Sequence, residues 1–343
     1  MRAVTLQEVA RHAGVSQATA SRVLNGSLRV PGPGVAELVR KAAAELGYVP
    51  NAQAQALARS SSGLIGLVVR EISDPYFSSI ARGVQRIARE HDRHVLLSCT
   101  EADPAGDLDA VTSFISLRAD ALIMVGSRFI GRRAHDRLLN SELKRYTEMG
   151  GRMAVIGQAT PLANSVVPQN REGAAALADA LVKQGHRRFA VFTGPTELQT
   201  AVDRTVGFTE ALRRHGLEPL ATVPSAFTRD GGFDAARRLV AELGLARGGD
   251  GLCIFAVNDV MAIGAMAGLR DRGLRIPQDV QVAGFDDITT VQDHVPALTT
   301  VRLPLESMGE TAVRLVLTEA TRGGARSTTV VGEVVLRDST RRR

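Results

Sequence analysis

The sequence predicts an N-terminal all-α headpiece with a helix-turn-helix, joined to an α/β core of two doubly wound lobes. Three observations support this fold class. Residues 5–25 have the spacing of two short helices and a turn, and from residue 64 onward strand-like and helix-like segments alternate. The alternation starts again after about residue 160. Such alternation indicates mostly parallel sheets with helices on both faces, so each run predicts one lobe.

The first helix begins with a Thr-x-x-Glu spacing, in which Thr5 and Glu8 can each satisfy a free backbone amide. The helix is predicted over 6–13, and a glycine in the left-handed conformation ends it. Ser16 then caps a second helix that reaches Leu24. We expect the apolar residues of both helices to form one small core: Leu6, Val9, Ala10, Val15, Ala20, Val23 and Leu24.

The second helix presents a short polar face opposite this core, formed by Gln17, Ala18, Ser21, Arg22 and Asn25. A helix that reads DNA needs such a face, because its first residues enter the major groove and contact base edges and phosphates. The same periodicity also fits an amphipathic helical hairpin in an ordinary domain, since periodicity identifies helices without assigning them a function.

Length and composition indicate a globular protein of two or three domains, with 343 residues, 44% of them hydrophobic, and a mean hydropathy of zero. Residues 1–60 hold seven Lys and Arg against three Glu, which gives +4 of the formal net charge of +6. A small basic domain attracts polyanions such as nucleic acids, so the charge favours the DNA-reading interpretation.

No apolar run has the length of a signal peptide or a membrane span, so we expect a cytoplasmic protein without a membrane partner. Cys99 and Cys253 are the only cysteines, and both lie in apolar, strand-like stretches. Burial is therefore expected for both, and a disulfide framework is not.

Residues 5–26 and the later segment Leu46-Gly47-Tyr48-Val49-Pro50-Asn51 resemble the lactose-repressor and galactose-repressor (LacI/GalR) family of bacterial transcription regulators. The spacing of these two segments is more specific than a helix-turn-helix alone. The resemblance implies a headpiece over 1–50, a hinge helix and linker over 51–62, and a periplasmic-binding-protein-like core over 63–337. It also implies a set of DNA-contacting residues: Thr5, Ser16, Gln17, Ala18, Thr19, Ser21, Arg22, Asn25, Asn51, Gln55, Leu57 and Ala58.

The segment 52–59 is rich in Ala and Gln and is too short to be a stable free helix in water. On its own it also fits a flexible tether. The resemblance implies instead a hinge helix that pairs with its dimer mate and inserts Leu57 into the minor groove. A buried apolar wedge and a bent duplex can offset the cost of unstacking a base step.

A third helix is predicted over 35–46, followed by Gly47, and it completes the headpiece. The chain departs from the family before this helix. Val30-Pro31-Gly32-Pro33-Gly34 stands where family members have a Ser or Thr cap and a Thr-Arg pair. The phosphate contacts expected at this helix start are therefore an open question.

The order of elements in the core follows from the hydrophobic pattern. Strands or extended segments are predicted at 64–69, 94–98, 121–125, 152–156, 188–193, 252–257, 280–285, 299–302 and 330–337. Helices are predicted at 77–91, 108–117, 135–149, 174–184, 204–214, 231–242, 259–271 and 305–321.

The boundary near residue 160 divides these elements into two lobes. The first lobe is expected at about 63–160 with 290–322, and the second at about 161–289 with 323–337. Residues 338–343 are expected to form a tail. The last elements would cross between the lobes and form a hinge.

In open α/β sheets, ligands bind beyond the carboxyl ends of the strands. Those ends carry carboxylate, amide, guanidinium and aromatic groups, which suit neighbouring hydroxyls and the apolar face of a sugar: Asp74, Tyr76, Phe77, Arg128, Arg204, Asn258 and Asp286. Each residue also fits a structural role, since Asp74 and Asn258 can cap the helices that follow them, and Phe77 can pack in a core.

The resemblance covers nearly the whole chain and implies which residues hold an effector: Arg204 and Asp286, with Tyr76, Phe77, Phe227 and Asn258 beside them. One position departs from the family. Pro168-Gln169-Asn170 stands where the family commonly has Asp-Asn, so Gln169 replaces a carboxylate that binds hydroxyls. We expect a sugar or related metabolite, but the family's usual sugar does not follow.

Catalytic motifs are missing from the sequence. There is no Gly-x-Ser-x-Gly, phosphate loop or Gly-x-Gly-x-x-Gly, and the seven His residues are scattered. We therefore expect no enzyme, no metal site and no cofactor.

These observations predict a homodimeric, sequence-specific transcription regulator, acting as a repressor on a palindromic double-stranded DNA operator under the control of a small effector in the interlobe cleft. Gln17 and Ala18 are expected to select bases, while Ser21, Arg22 and Asn25 position the helix. Two alternatives are a solute-binding protein of a transport system, which would need export, and a sugar-converting enzyme. A tetramer is not expected, because no heptad zipper fits after Arg337.

Overall fold

The computed structural model describes residues 4–24, 31–49, 61–101, 103–248, 251–318 and 325–341. These residues form a three-helix headpiece and an α/β core that contains two parallel sheets. The predicted fold class is confirmed.

The headpiece consists of α1 (Leu6–His12), α2 (Gln17–Leu24) and α3 (Pro33–Glu45). The predicted capping box is present, since the Thr5 hydroxyl accepts from the Glu8 N–H at 3.3 Å and the Glu8 carboxylate accepts from the Thr5 N–H at 2.7 Å. The apolar residues of both predicted helices share one cluster with those of α3. The local sequence and the packing therefore specify the same arrangement.

The third helix begins at Pro33, two residues before its predicted start, because proline supplies a φ suited to a first helical turn. Gly32 precedes it, and no side chain caps the first amides of α3. At the other end of this helix, Glu45 Oε2 lies 2.9 Å from His12 Nε2 and ties α3 to α1.

The first lobe is built on six parallel strands: β1 (Leu64–Val69), β2 (His94–Cys99), β3 (Ala121–Val125), β4 (Arg152–Ile156), β5 (Asn164–Pro168) and β11 (Ser327–Val330). Their order in the sheet is β11-β5-β4-β3-β1-β2. Helices α4 (Pro75–Glu90) and α11 (Leu305–Leu317) pack together on one face, and α5 (Pro104–Ser116) and α6 (Arg133–Glu148) pack on the other. Coverage of both faces explains the unbroken apolar runs of the central strands.

The second lobe contains four parallel strands in the order β7-β6-β8-β9: β6 (Arg188–Phe192), β7 (Ala221–Val223), β8 (Leu252–Ala256) and β9 (Val280–Ala283). Its helices are α7 (Asn170–Lys183), α8 (Gln199–Arg214), α9 (Arg229–Leu243) and α10 (Asp259–Asp271). An antiparallel pair of strands, β10 (Thr300–Arg302) and β12 (Glu333–Val335), lies against α7.

The predicted division between the lobes is wrong in three places. β5 pairs in parallel with β4, so residues 161–168 belong to the first lobe and not to the second. β11 extends the same sheet beyond β5, so residues 327–330 also belong to the first lobe. Residues 290–302, assigned to the first lobe, belong to the second, because Thr299 bridges to Ala283 next to β9.

The chain crosses between the lobes three times, between β5 and α7, between β10 and α11, and between β11 and β12. Asp287 lies at these crossings with a buried side chain, 2.7 Å from Arg302 Nε and 2.7 Å from Arg337 Nη1. One carboxylate thus joins β10 to the segment that follows β12. This arrangement confirms that the last elements cross between the lobes.

Residues 338–341 are not a free tail but part of the second lobe. Ser339 and Thr340 are completely buried. Ser339 Oγ donates to the Val282 carbonyl at 2.6 Å, and the Thr340 carbonyl lies 3.0 Å from His186 Nε2. Buried polar groups need such partners, and here they fix the end of the described chain to β9.

The beginning of the core is tied to the first lobe by Asp120. Its carboxylate accepts from Ser61 Oγ at 2.6 Å, from Ser62 N–H at 2.8 Å and from Gly63 N–H at 2.9 Å, and it lies 2.6 Å from Arg93 Nη1. Burial raises the pKa of Asp120, but these hydrogen bonds outweigh burial and hold it below its usual value. The segment that leads into β1 is therefore fixed to the lobe.

Cys253 is buried in β8 as expected, whereas Cys99 is exposed, because it ends the edge strand β2. The expectation of burial for Cys99 is therefore wrong. Within the described ranges, no helix has the length and apolar character that crossing a membrane requires. The same ranges contain no group of three side chains suited to hold a metal ion.

Candidate DNA-binding face and interlobe cleft

The polar face of α2 is accessible to a partner. Gln17, Ala18 and Arg22 are exposed and Ser21 is half-buried, whereas Val23 on the opposite face packs in the headpiece core. The first turn of α2 therefore faces solvent and has the shape that entry into a DNA groove requires.

Three of the predicted DNA-contacting hydroxyls also have structural roles. The Thr19 N–H donates to Ser16 Oγ at 3.1 Å, and the two hydroxyls lie 2.8 Å apart at the start of α2. Thr5 has the equivalent role at the start of α1. Five predicted residues lie outside the described part of the chain: Asn25, Asn51, Gln55, Leu57 and Ala58.

A cleft of about 840 Å³ lies between the lobes and is lined by residues that follow strands of both sheets. Such a position is the general ligand site of open α/β folds. Seven of the nine predicted effector-binding residues line it: Asp74, Tyr76, Phe77, Arg204, Phe227, Asn258 and Asp286.

Arg204 and Asp286 form a buried ion pair in the wall of this cleft. Arg204 is 2% exposed, and its Nη2 and Nη1 atoms lie 2.7 and 3.2 Å from the two carboxylate oxygens of Asp286. Its Nη1 also donates to the Val257 carbonyl at 2.8 Å, and its Nε donates to Asn170 Oδ1 at 2.8 Å. The guanidinium stacks on the Phe285 ring at 3.9 Å. The fork geometry fixes both side chains in one orientation.

Asp286 has a backbone conformation that is unusual for a residue with a side chain, with φ at 118°. The flanking hydrogen bonds, from its N–H to Val301 and from Leu303 to its carbonyl, hold it there. Burial raises the pKa of Asp286 to about 6, and the charge of Arg204 opposes the rise. Strained residues of this kind cluster at ligand sites, where surrounding structure maintains them.

On the first-lobe side, Asp74 and Tyr76 face the cleft at the start of α4. Asp74 Oδ1 accepts from the Tyr76 N–H at 2.9 Å, so Asp74 is also a helix cap. Burial raises the pKa of Asp74, and it raises the pKa of Tyr76 well above its usual value, so the phenol stays neutral. Phe77 is buried in the lobe core and contributes to the cleft wall.

On the second-lobe side, Asn258 is likewise both a helix cap and a cleft residue. Its Oδ1 accepts from the Met261 N–H at 2.9 Å and caps α10, while the residue lines the cleft. Phe227 is half-buried and also lines the cleft. The capping roles predicted as alternatives are therefore present together with the cleft positions.

The other two predicted effector residues do not line this cleft. Arg128 lies on the adjoining first-lobe cavity of about 370 Å³, and its Nη2 donates to the Ala159 carbonyl at 2.7 Å. Gln169 is flanked by Pro168 and Asn170, which do line the cleft. Asn170 was missed, although it belongs to the segment where the departure from the family was noticed.

Arg70, Phe129 and Arg132 also line the cleft and were not predicted. The guanidinium carbons of Arg70 and Arg132 lie 4.4 and 4.2 Å from the centroid of the Phe129 ring. Arg70 lies at the end of β1, where its position could have been noticed. Arg132 and Phe129 lie in a loop with no distinctive pattern.

The loop after β3 and the loop before α8 hydrogen-bond to each other across the cleft. The Ile130 N–H donates to the Glu197 carbonyl at 2.7 Å, and the Gln199 N–H donates to the Arg128 carbonyl at 3.1 Å. These bonds enclose an isolated antiparallel β-bridge between the lobes.

Side chains strengthen this contact. Ser127 Oγ accepts from the Thr200 N–H at 2.9 Å, and Gln158 Nε2 donates to Thr200 Oγ1 at 3.1 Å. We call residues 127–130, Gln158 and 197–200 together the interlobe clasp. Separation of the lobes at this side requires all four hydrogen bonds of the clasp to break.

The match to known families covers both parts of the chain. Residues 5–51 match the model of bacterial regulatory proteins, lacI family, and residues 178–340 match that of the periplasmic binding protein-like domain. Similar whole proteins are transcriptional regulators. The chain is 34% identical over 317 residues to the HTH-type transcriptional regulator GalS of Salmonella typhimurium, covering 92% of this chain and 89% of GalS. It is 33% identical over 334 residues to the HTH-type transcriptional regulator CelR of Thermobifida fusca, covering 92% of each.

Solved structures agree with this assignment. The Lac repressor dimer bound to operator and the anti-inducer ONPF superposes with a TM-score of 0.82 at 27% identity, covering 99% of both chains. The complex of the transcriptional regulator CelR with cellobiose has a TM-score of 0.69 at 28% identity, covering 98% of this chain and 99% of CelR. Since regulators of this kind match along nearly the whole length, the chain belongs to the lacI family of bacterial regulatory proteins and is a DNA-binding transcriptional regulator, not an enzyme.

Proposed function

We propose that this protein is a homodimeric repressor that binds a palindromic DNA operator and is controlled by a small effector in the interlobe cleft. The observation that carries the proposal is the presence, in one chain, of an exposed polar face on α2 and a large cleft between two lobes. The Lac repressor, a structural relative, is bound to its operator as a dimer.

Base selection is assigned to Gln17 and Ala18, because they begin α2 and are exposed. Arg22 and Ser21 lie one turn later and would position the helix on phosphates. Asn25 and the hinge residues Asn51, Gln55, Leu57 and Ala58 belong to the proposal through the family resemblance alone.

Homodimerisation is supported by the edge of the first-lobe sheet. Leu96 and Leu97 on the edge strand β2 are 38% and 43% exposed, and Leu117 after α5 is 48% exposed. An apolar sheet edge of this kind is suited to a protein contact. Sedimentation should give a dimer, and a monomer or tetramer would contradict this part of the proposal.

The effector class is a sugar or related metabolite. The cleft offers a fixed guanidinium and carboxylate pair, Arg204 with Asp286, beside the amide of Asn258 and the phenol of Tyr76. Groups of this kind recognise neighbouring hydroxyls. CelR binds cellobiose in its solved complex, which supports the class without naming the effector of this chain.

Control would follow from a change in the balance between two lobe arrangements. An effector that binds one arrangement more tightly shifts the population toward it, and the shift is limited by the difference in affinity. The lobes of two subunits would then set the spacing of the segments that precede residue 61, and thereby whether both headpieces fit one operator.

The first experiment is selection of random duplex DNA by the purified protein, followed by sequencing of the bound pool. We expect an enriched palindrome with a central pyrimidine-purine step, because such steps kink easily. An unenriched pool bound only at low salt would overturn sequence-specific binding and leave a general attraction of a basic domain for DNA.

A matched pair of variants tests the reading helix. Gln17→Ala should change the base preferred at one position of each half-site, with a loss of about 1 to 3 kcal/mol on the original operator. Gln7→Ala removes an exposed Gln from α1 of the same headpiece and should leave the preference unchanged. Equal weakening of all sequences by Gln17→Ala would reduce Gln17 to a phosphate contact.

A further inference from the structure

Arg70 has unsatisfied hydrogen-bonding capacity in the wall of the cleft. Its Nη2 donates to the Ser127 carbonyl, but its Nε and Nη1 atoms are buried and have no hydrogen-bond partner among the described residues. Leaving two buried donors of a guanidinium without partners is costly, so this position calls for an explanation.

A second cation lies close to it. Arg132 contacts the same Phe129 ring as Arg70, with its guanidinium carbon 4.2 Å from the ring centroid. Within the described part of the chain, neither guanidinium has a carboxylate within 4.0 Å. Burial lowers the pKa of Arg70, Asp107 raises it, and the positive charge of Arg132 lowers it again. Two like charges therefore contact one aromatic ring, and neither forms an ion pair with a described carboxylate.

The remaining charges of the cleft do not supply the missing partner. Asp286 is neutralised by Arg204, and Asp74 is occupied as the cap of α4. Glu71, Glu101 and Glu197 also line the cleft but are exposed, so water screens them. An anion that enters the cleft would meet the exposed Arg132 and, against the same Phe129 ring, the less exposed Arg70.

We propose that the effector of this protein carries an oxyanion, a carboxylate or a phosphate, and that Arg70 and Arg132 bind this group on the first-lobe side of the cleft. The inference rests on the proposed function, in which the effector binds this cleft. Guanidinium groups suit both anions, because their N–H donors match pairs of oxygen atoms. The ion pair of Arg204 and Asp286 would hold the uncharged, hydroxyl-bearing part.

The site also has a route to regulation. Phe129 lies in the interlobe clasp, next to Ile130, whose N–H donates to the second lobe. An anion bound by Arg70 and Arg132 offsets the repulsion between them and fixes the loop that carries Phe129. Anion binding would therefore stabilise the arrangement in which the clasp is formed.

The test is calorimetric titration of the full-length protein with paired ligands: D-glucose, D-glucuronate and D-glucose 6-phosphate, then D-galactose, D-galacturonate and D-galactose 1-phosphate. We expect at least one acid to bind about tenfold or more tightly than its neutral partner, because hydrogen bonds between charged partners are stronger than those between neutral ones. Comparison of the uronates with the phosphates identifies which oxyanion is preferred.

Variants locate the effect. Arg132→Gln and Arg70→Met should each remove the preference for the acid while the neutral sugar binds as before. Arg229→Gln is the matched control, because Arg229 lines the same cleft but already lies 2.8 Å from Asp230. It should leave the preference for the acid unchanged.

A measurement without ligand separates a binding role from a structural one. If Arg70 serves to bind an anion, Arg70→Met should melt at about the same temperature as the unaltered protein, because the loss of its bond to the Ser127 carbonyl is offset by the removal of two unpartnered buried donors and one like charge. A clearly lower melting temperature would assign Arg70 to the scaffold and overturn the proposal.

The titration outcomes distinguish this inference from the proposed function. Tighter binding of the neutral sugars would overturn the oxyanion inference and leave effector control intact. Absence of binding by every acid at millimolar concentration would also overturn it. Failure of the duplex selection, with acids still bound, would instead overturn the proposed repressor and leave the oxyanion site standing.

Discussion

Asp259 is completely buried in the first turn of α10, and among the described residues it has no cationic partner. Its Oδ1 accepts from the Thr300 hydroxyl at 2.7 Å, and its Oδ2 accepts from the Ile288 N–H at 2.9 Å. Burial, and then the charges of Asp286 and Asp287, raise its pKa to about 8. The folded protein therefore keeps this carboxyl protonated at neutral pH.

This protonation predicts how stability changes with pH. In the unfolded chain the carboxyl ionises near pH 4, whereas in the folded chain it ionises at about pH 8. Between these values the folded state holds one more proton, so this group makes the free energy of unfolding fall as pH rises, by up to about 1.4 kcal/mol per pH unit. Asp259→Asn should flatten that decline in urea titrations across this range, since the amide is neutral at every pH.

Asp279 is the matched control, because its pKa is shifted in the opposite direction. Hydrogen bonds from Arg275 hold the pKa of Asp279 below its usual range, so its stabilisation is present above about pH 4 and is lost as the pH falls. Asp279→Asn should change the free energy of unfolding as a function of pH only on the acidic side, below about pH 4. An unchanged slope in Asp259→Asn between about pH 4 and pH 8 would contradict a protonated Asp259.

The sequence predicted several residues of the cleft, but it predicted their hydrogen-bond partners less well. Arg204 and Asp286 follow from strand ends and from the family resemblance, but Asn170, which binds Arg204 Nε at 2.8 Å, was passed over for its neighbour Gln169. Adjacent residues at the start of a helix point in different directions, and the sequence does not state which of them faces the cleft. Arg70 was missed because one charged residue at a strand end is ordinary.

At the level of elements, the close packing of α4 on α11 depends on two glycines. A Cβ atom on Gly309 would overlap the carbonyl oxygen of Ile80, and one on Gly83 would overlap that of Glu306. Backbone carbonyls in helices cannot move aside, so the helices themselves would have to separate.

Gly309→Ala should therefore destabilise the first lobe by about 1 to 3 kcal/mol, the usual cost of overpacking. Gly34→Ala in α3 is the control, because nothing lies within 4 Å of the added Cβ. That substitution should stabilise its helix by about 0.5 to 1 kcal/mol. Thermal melting and urea unfolding of both variants measure the difference, and equal effects of the two substitutions would contradict the close packing.

Most long elements were predictable from the sequence. β1, β3 and β4 have the predicted bounds, because each is an apolar run of ordinary strand length. β5 and β7 were missed, since β7 has three residues and β5 ends at Pro168. Short strands carry little periodicity of their own and are defined by pairing with a neighbour.

For the whole molecule, the clasp predicts a measurable opening motion. Ser127→Ala removes the acceptor of the Thr200 N–H, and Thr200→Val removes the acceptor of Gln158 Nε2. The double variant should lose about 1 kcal/mol or more of lobe closure, which increases amide exchange about fivefold or more. The rates to measure are those of the Ile130 and Gln199 amides, which donate across the cleft.

Thr209→Val provides the comparison, because the Thr209 hydroxyl donates to the Thr205 and Val206 carbonyls, both within α8. In the Thr209→Val variant, the Ile130 and Gln199 amides should exchange at the same rates as in the unaltered protein. Unchanged exchange at Ile130 and Gln199 in the double variant would show that the clasp contributes nothing to closure.

The sequence did not predict which lobe some of the strands belong to. β11 pairs with β5 although about 160 residues of chain separate them. Their register, with Ser327 opposite Ser165, is set by this pairing and not by their places in the sequence. A pattern read along the chain assigns such a strand to its sequence neighbours. The positions at which the chain crosses between the lobes therefore depend on strand pairing and cannot be predicted from the pattern along the sequence.

The attachment of residues 61–63 to Asp120 has a mechanical consequence. If the segment that leads into a lobe were loosely attached, it could turn independently, and the residues before it would not follow a rotation of the lobe. Here three successive residues are bonded to one carboxylate, which Arg93 holds in turn. We therefore expect a rotation of the first lobe to move residue 61 with it, because these bonds leave the segment 61–63 little freedom to turn separately.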